Sequence, residues 1–218
     1  AFPPRIQANQ GAVRYIADKT DLLAVGMMIG PFSLMTKLVA DPIAGVAMSG
    51  GGVGGEEDDC VCLVERCLAL ATATVLRSAL AQIHAGARAI IVCEPAANTV
   101  YLSPRQMRAG SDILERFVLQ PNRRIRQLLA THGVDLIFHD CGELNTEMVR
   151  QFALELRPAV LSLGSSRKLW EDAAVVPCGI VLFGNLPTKT FYSDSALPVE
   201  EVRRMTVELR QHMAACGH

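Results

Sequence analysis

Residues 134–144 read VDLIFHDCGEL, an apolar run that ends abruptly in His139-Asp140-Cys141-Gly142. Side chains two apart on a strand project to the same side. His139 and Cys141 should therefore leave the end of one strand together. Imidazole nitrogen and thiolate sulfur are both donors that zinc accepts, and a catalytic zinc has three protein ligands with one position left open. The pair would supply two of the three. The same residues also fit a bland reading, since core histidines and inert buried thiols are common. Asp140, on the opposite side of the strand, is placed to hold the loop and not the metal.

Glu94 is the second candidate, as a catalytic or metal-facing group. It closes the apolar run ARAIIVCE (87–94), and a buried carboxylate is costly unless paired or liganded. An ion pair with an arginine of the next helix is the ordinary alternative. Cys93 must point away from Glu94, which on this reading sends it into the helix layer. Asn98, Asn185 and Lys37 follow other apolar runs and are candidate contacts to substrate. Cys60, Cys62 and Cys67 belong to a helical stretch and read as packing. Cys178 precedes its strand, at the wrong end for chemistry. His84, His132 and His212 fall near helix ends, where capping or exposure explains them.

What must position these groups is a series of short apolar runs at 22–30, 87–94, 134–140, 159–166 and 179–185. Each has the continuous hydrophobicity of a parallel strand covered on both faces. Between them lie helical patterns, at about Val61 to His84 and at 123–133, 143–156 and 198–215. The last begins with Glu200 and Glu201, where the helix dipole favours acids, and ends near Gly217, a plausible cap. Alternating strand and helix means α/β. Five units fall short of the eight in a closed barrel, so an open sheet and a barrel with pieces absent both remain open. The first twenty residues show no such rhythm. Residues 48–59 break it, with five glycines and four acids in a row over 50–59, and are expected to form a mobile, solvated loop within one domain spanning 1–218.

The bulk numbers narrow the function classes. A net charge of -1 and a pI of about 6.6 offer no footprint for nucleic acid. No run of ~18 apolar residues suggests a membrane span, and the N-terminus lacks the pattern of a secretory signal. The chain reads as cytoplasmic. Its seven cysteines are irregularly spaced and expected to be reduced.

Several segments, in order, resemble the uroporphyrinogen decarboxylase superfamily: GPFSLMTKLV (30–39), GARAIIVCEPAANTVYLSP (86–104), FHDCG (138–142), and IVLFGN (180–185) followed by PVEEVRRM (198–205). That superfamily holds the decarboxylases of haem biosynthesis and zinc-dependent corrinoid methyltransferases. The resemblance implies a (β/α)8 TIM barrel from which this chain lacks the first strands and the last. His139-Asp140-Cys141-Gly142 matches the His-x-Cys-Gly of the methyltransferases, whose second cysteine would lie beyond His218; Cys216 is an imperfect substitute. The decarboxylases place a tyrosine at Lys37, and their substrate-binding arginines and aspartate are not in this chain. The expectation is a methyltransferase that moves a methyl group between a corrinoid (methylcobalamin, free or on a partner corrinoid protein) and a zinc-activated thiol. A metal-free decarboxylase of a tetrapyrrole is the alternative. Relatives often pair, so a homodimer is a further expectation.

Overall fold

The computed structural model describes residues 2–218. Helix α1 (Pro4–Lys19) opens the chain, with proline in its first turn where a missing N–H is harmless. Only Val13 of this helix is buried, which explains why no apolar stripe announces it in the sequence. Strand β1 (Val25–Ile29) follows, then α2 (Pro31–Met35), α3 (Pro42–Gly50) and the long α4 (Asp59–His84).

The glycine-acid segment is shorter than expected. Residues 48–50 close α3, and Asp59 already belongs to α4. The Asp58 carboxylate accepts the N–H groups of Cys60 and Val61 at 2.8 and 3.1 Å, so part of the acidic run is a helix cap. Arg116 donates to the Ser49 carbonyl and hydroxyl, and Gln106 to the Ala47 carbonyl, which fastens the end of α3.

Strand β2 (Ala89–Cys93) leads to α5 (Pro104–Arg108), a π-helical turn at Glu115–Leu119 and α6 (Gln120–Thr131). Next come β3 (Asp135–Asp140), α7 (Thr146–Gln151) with a second π-helical turn at Phe152–Leu156, and β4 (Val160–Leu163). The chain finishes with α8 (Leu169–Asp172), β5 (Val181–Phe183) and α9 (Val199–Cys216), which is capped by Gly217 at φ 68°.

The strands form one parallel sheet in the order β1-β2-β3-β4-β5. Each strand lies beside its predecessor, and the direction never reverses. Right-handed crossovers in a constant direction put the connecting helices on one face. A doubly wound sheet would change direction at a switch point. This is a curved stretch of barrel wall: an α/β fold of TIM-barrel type, in part.

Strands covered on both faces were expected; the structure covers one. Toward the helices, Ile90, Val92, Phe138 and Leu161 are fully buried, and the Phe138 ring packs on Phe152 at 5.0 Å. On the concave side Met27, Val181 and Phe183 are 58–67 % exposed. The sequence reads apolar on both sides because this surface is the inner wall of a barrel, where alternate side chains fill the interior.

Candidate active site

Register decides which side chains meet on the concave face. Cys93 is the cross-strand partner of His139, which in turn pairs with Ser162, and Ser162 with Phe183. The next level toward the strand starts is Met27, Ile91, Ile137, Val160 and Val181. Together Met27, Ile91, Cys93, Ile137, His139, Val160, Ser162 and Phe183 line an open cavity of about 440 Å³. Its polar groups are confined to the level nearest the carboxyl ends, where chemistry gathers in this architecture.

His139 is half-buried, and its Nδ1 lies 2.8 Å from the Ser162 hydroxyl. Burial lowers its pKa, favouring the neutral ring that can ligate a metal. With Nδ1 held by Ser162, Nε2 is the ring atom left for a ligand, as in sites where an outer hydrogen bond orients a ligating histidine. Ser162 is not among the candidates the sequence offers. A lone hydroxyl in the apolar run AVLSL was the available signal.

Cys141 follows β3 and is exposed. Its placement is built locally. The Asp140 carboxylate accepts the Gly142 N–H at 2.8 Å, turning the chain sharply just after the strand. Gly142 then sits against the loop after β2, where a Cβ would come within 2.6 Å of the Asn98 Cβ and 2.7 Å of the Pro95 carbonyl. Only glycine allows that approach.

The expected side of Cys93 is overturned. It lines the concave cavity beside His139, and Glu94 takes the helix side. Burial pushes the Cys93 thiol above its usual range, with the charges of Cys141 and Glu94 adding to the shift. Alternation correctly put Cys93 and Glu94 on opposite faces, but which face was which needed the register with β3.

Glu94 is therefore corrected as a metal-facing group. It is fully buried, accepting the N–H groups of Phe32 (3.1 Å) and Ser33 (2.8 Å) at the start of α2 and an amide N–H of Asn122 (2.9 Å). Gly30 makes room for it, since a Cβ there would lie 2.2 Å from the Glu94 carboxyl carbon. Burial raises the Glu94 pKa against these three donors, which lower it. Nor does it pair with an arginine: its counter-charge is the end of a short helix and an amide.

The other candidates are spent on the loops. Asn98 donates to the Pro95 carbonyl at 2.6 Å and accepts from the Val100 N–H at 2.8 Å. Asn185 donates to the carbonyls of Gly164 and Arg167. Arg167, another residue missed in the sequence, pairs with the buried Asp172 and donates to the Leu144 carbonyl at 3.0 Å, tying the loops after β3 and β4 together. Lys37 is exposed in the turn after α2 and is not part of the cavity lining. Cys216 lies on α9, donating to the His212 and Trp170 carbonyls.

Among the described residues, no three His, Cys, Asp or Glu side chains stand together as a metal site. His139 and Cys141 fit two corners of a zinc tetrahedron by donor type; His139 lines the cavity, whereas Cys141 follows the strand and is not part of the lining. No helix among the described residues is long and apolar enough to cross a membrane.

A singly wound parallel sheet with its polar groups at the carboxyl edge defines the (β/α)8-barrel class. The family model described as uroporphyrinogen decarboxylase (URO-D) matches residues 2–218, and the chain belongs to that family. Among solved structures, a methyltransferase from Methanosarcina mazei superposes with a TM-score of 0.70 at 21% identity, over 95% of this chain and 56% of that one. At this identity the likeness concerns the fold, and the chain spans little more than half the length of that relative. No curated protein matches the chain.

Proposed function

We propose that this chain forms part of a methyltransferase in which His139 and Cys141 hold a zinc ion that activates a thiol, with a corrinoid as methyl donor or acceptor. The observation that carries this reading is the position of His139 in the cavity at the carboxyl end of β3, with Cys141 in the turn directly after that strand. A thiol with a pKa near ~8.5 is mostly protonated at neutral pH, and only its thiolate attacks carbon. Bound zinc deprotonates a coordinated thiol outright. The chain's own residues do the rest: Ser162 orients the imidazole, the Asp140 turn carries Cys141, and Met27, Ile91, Ile137 and Val160 supply an apolar floor.

The alternative, a metal-free decarboxylase, draws support from the description of the family model. That reading calls for cations to hold a polycarboxylate ring, and the part of the cavity wall supplied by this chain carries neither lysine nor arginine. Metal analysis separates the readings. Purified protein should carry about one zinc per chain, a single site of this donor type, and His139→Ala and Cys141→Ser should each lose it. A zinc-free wild type, or unchanged zinc in His139→Ala, ends the methyl-transfer reading.

A further inference from the structure

We infer that the outer face of α4 is a self-complementary interface, on which two copies of the chain pack antiparallel about a twofold axis level with Leu68. The inference goes beyond the methyl-transfer reading and does not depend on it.

The inward side of α4 is spent on the core through Val61, Val64, Ala71, Val75 and Ala79. Its outward side carries another stripe. Asp59, Leu63, Arg66, Leu70, Ala73 and Arg77 follow one another at alternating steps of four and three. All six are exposed, Leu63 by 48% and Leu70 by 61%. That alternation is the heptad spacing of a coiled-coil seam. From Cys67 to Leu76 the helix has no charged residue, whereas the neighbouring α6 turns Arg124 and Gln127 outward. A ring helix that faces only water would carry a polar surface there. Nor do the barrel strands outside this chain reach the stripe. They would join at the free edges of β1 and β5, and α4 already has a neighbour on either side, α1 and α6.

Charge selects a second copy as the occupant and sets its direction. The stripe begins at Asp59 and ends at Arg77, and among the described residues neither has an ion-pair partner. The Arg77 guanidinium lies over the Phe2 ring instead. Parallel copies would bring like charges together at both ends, which is unfavourable. In the antiparallel register, Asp59 of each copy meets Arg77 of the other. Leu63 then covers Ala73, and Leu70 lies on the aliphatic stem of Arg66. A helix rises 1.5 Å per residue, so the two Cys67 residues come within about 3 Å along the axis, and the two Cys60 residues stay about 24 Å apart.

Sedimentation equilibrium on the chain should show monomer and dimer exchanging in the micromolar range. Leu70→Arg, at an exposed position, sets arginine against arginine. It should weaken the dimer by about tenfold or more while leaving the urea melt unchanged. Arg77→Asp should weaken it likewise, and adding Asp59→Arg to the same chain should restore it. A short bis-maleimide should join the Cys67 peptides of two copies and leave the Cys60 peptides unjoined; trypsin separates the two by cutting after Arg66. A monomer at every concentration overturns the inference. So does a dimer that Leu70→Arg leaves intact, which would associate through the open sheet edges or the concave face. Failure of the charge swap to restore the dimer, or equal joining of the Cys60 peptides, overturns the antiparallel register and the proposal with it. Zinc content bears on none of these outcomes.

Discussion

At the scale of single residues, the least expected feature is a pair of buried carboxyl groups behind the candidate site. Glu94 has three donors, but Asp140 has one, and its second oxygen, Oδ2, is buried without a partner. Burial holds the Asp140 pKa well above the usual carboxylate range, and the nearby Glu94 charge pushes the same way. The linkage has a definite sign. A carboxyl that binds its proton more tightly folded than unfolded stabilises the fold at low pH, and that stabilisation is lost as pH rises from the unfolded pKa toward the folded one. Asp140→Asn keeps an oxygen for the Gly142 N–H and removes the titration. Metal-free Asp140→Asn should therefore lose less stability than the wild type between pH 5 and pH 8 in urea melts; an equal or larger loss would show that Asp140 is charged in the fold at little penalty. His139 was legible because it closes an apolar run, while Cys141 lies just past the strand, where parity no longer fixes the side chain's direction. Ser162 and Cys93 were not, because their roles depend on a neighbouring strand.

At the scale of elements, the site is held by contacts between successive loops. Gly142 touches Pro95 and Asn98, Thr99 donates to the Glu143 carbonyl, and Arg167 reaches back to Leu144. Asn98 and Asn185 were expected to face substrate, yet their amide groups bind the loop backbone. Amide-rich strand ends satisfy carbonyl and N–H groups that no ladder pairs, and a sequence does not distinguish that task from ligand binding. Gly142→Ala tests the clasp. The added methyl would press on backbone as well as on Asn98, and overpacking of this kind costs about 1–3 kcal/mol. Thermal or urea melts should show that loss, accompanied by weaker zinc retention as Cys141 shifts; an unperturbed melt would mean the loops part easily. The helices were more legible than the loops. The long α4 and the dipole-matched α9 fall almost where periodicity placed them, whereas α1 and α3 lack a strong apolar stripe or lie beside the glycine run.

At the scale of the whole molecule, order and exposure are graded across the sheet. β2 and β3 are each flanked by two strands and backed by fully buried side chains, whereas β1 and β5 end the sheet with one neighbour apiece. β5 is three residues long, and two of those residues are exposed. Opening an edge strand disrupts fewer contacts than opening a central one, so local stability should fall from the centre outward. Amide hydrogen exchange is expected to be slowest in Ile90–Val92 and Leu136–Phe138 and markedly faster in Val181–Phe183. Equal protection of β5 would indicate that its free edge is covered in solution, by a second copy or another strand.

The sequence by itself determined the α/β class, the five strands, the barrel resemblance and the place of His139 at the end of a strand. Each follows from local information: apolar run length, helical period, strand parity and short motifs. Only the tertiary structure decided that the sheet is wound in one direction and that its concave face is open. It also put Cys93 and Ser162 on either side of the histidine and turned Glu94 to the helices. Those facts depend on register between strands some 20 to 60 residues apart, and on which face the crossovers cover. Two apolar faces look alike in sequence, so the sign of the alternation is fixed only when strands pair.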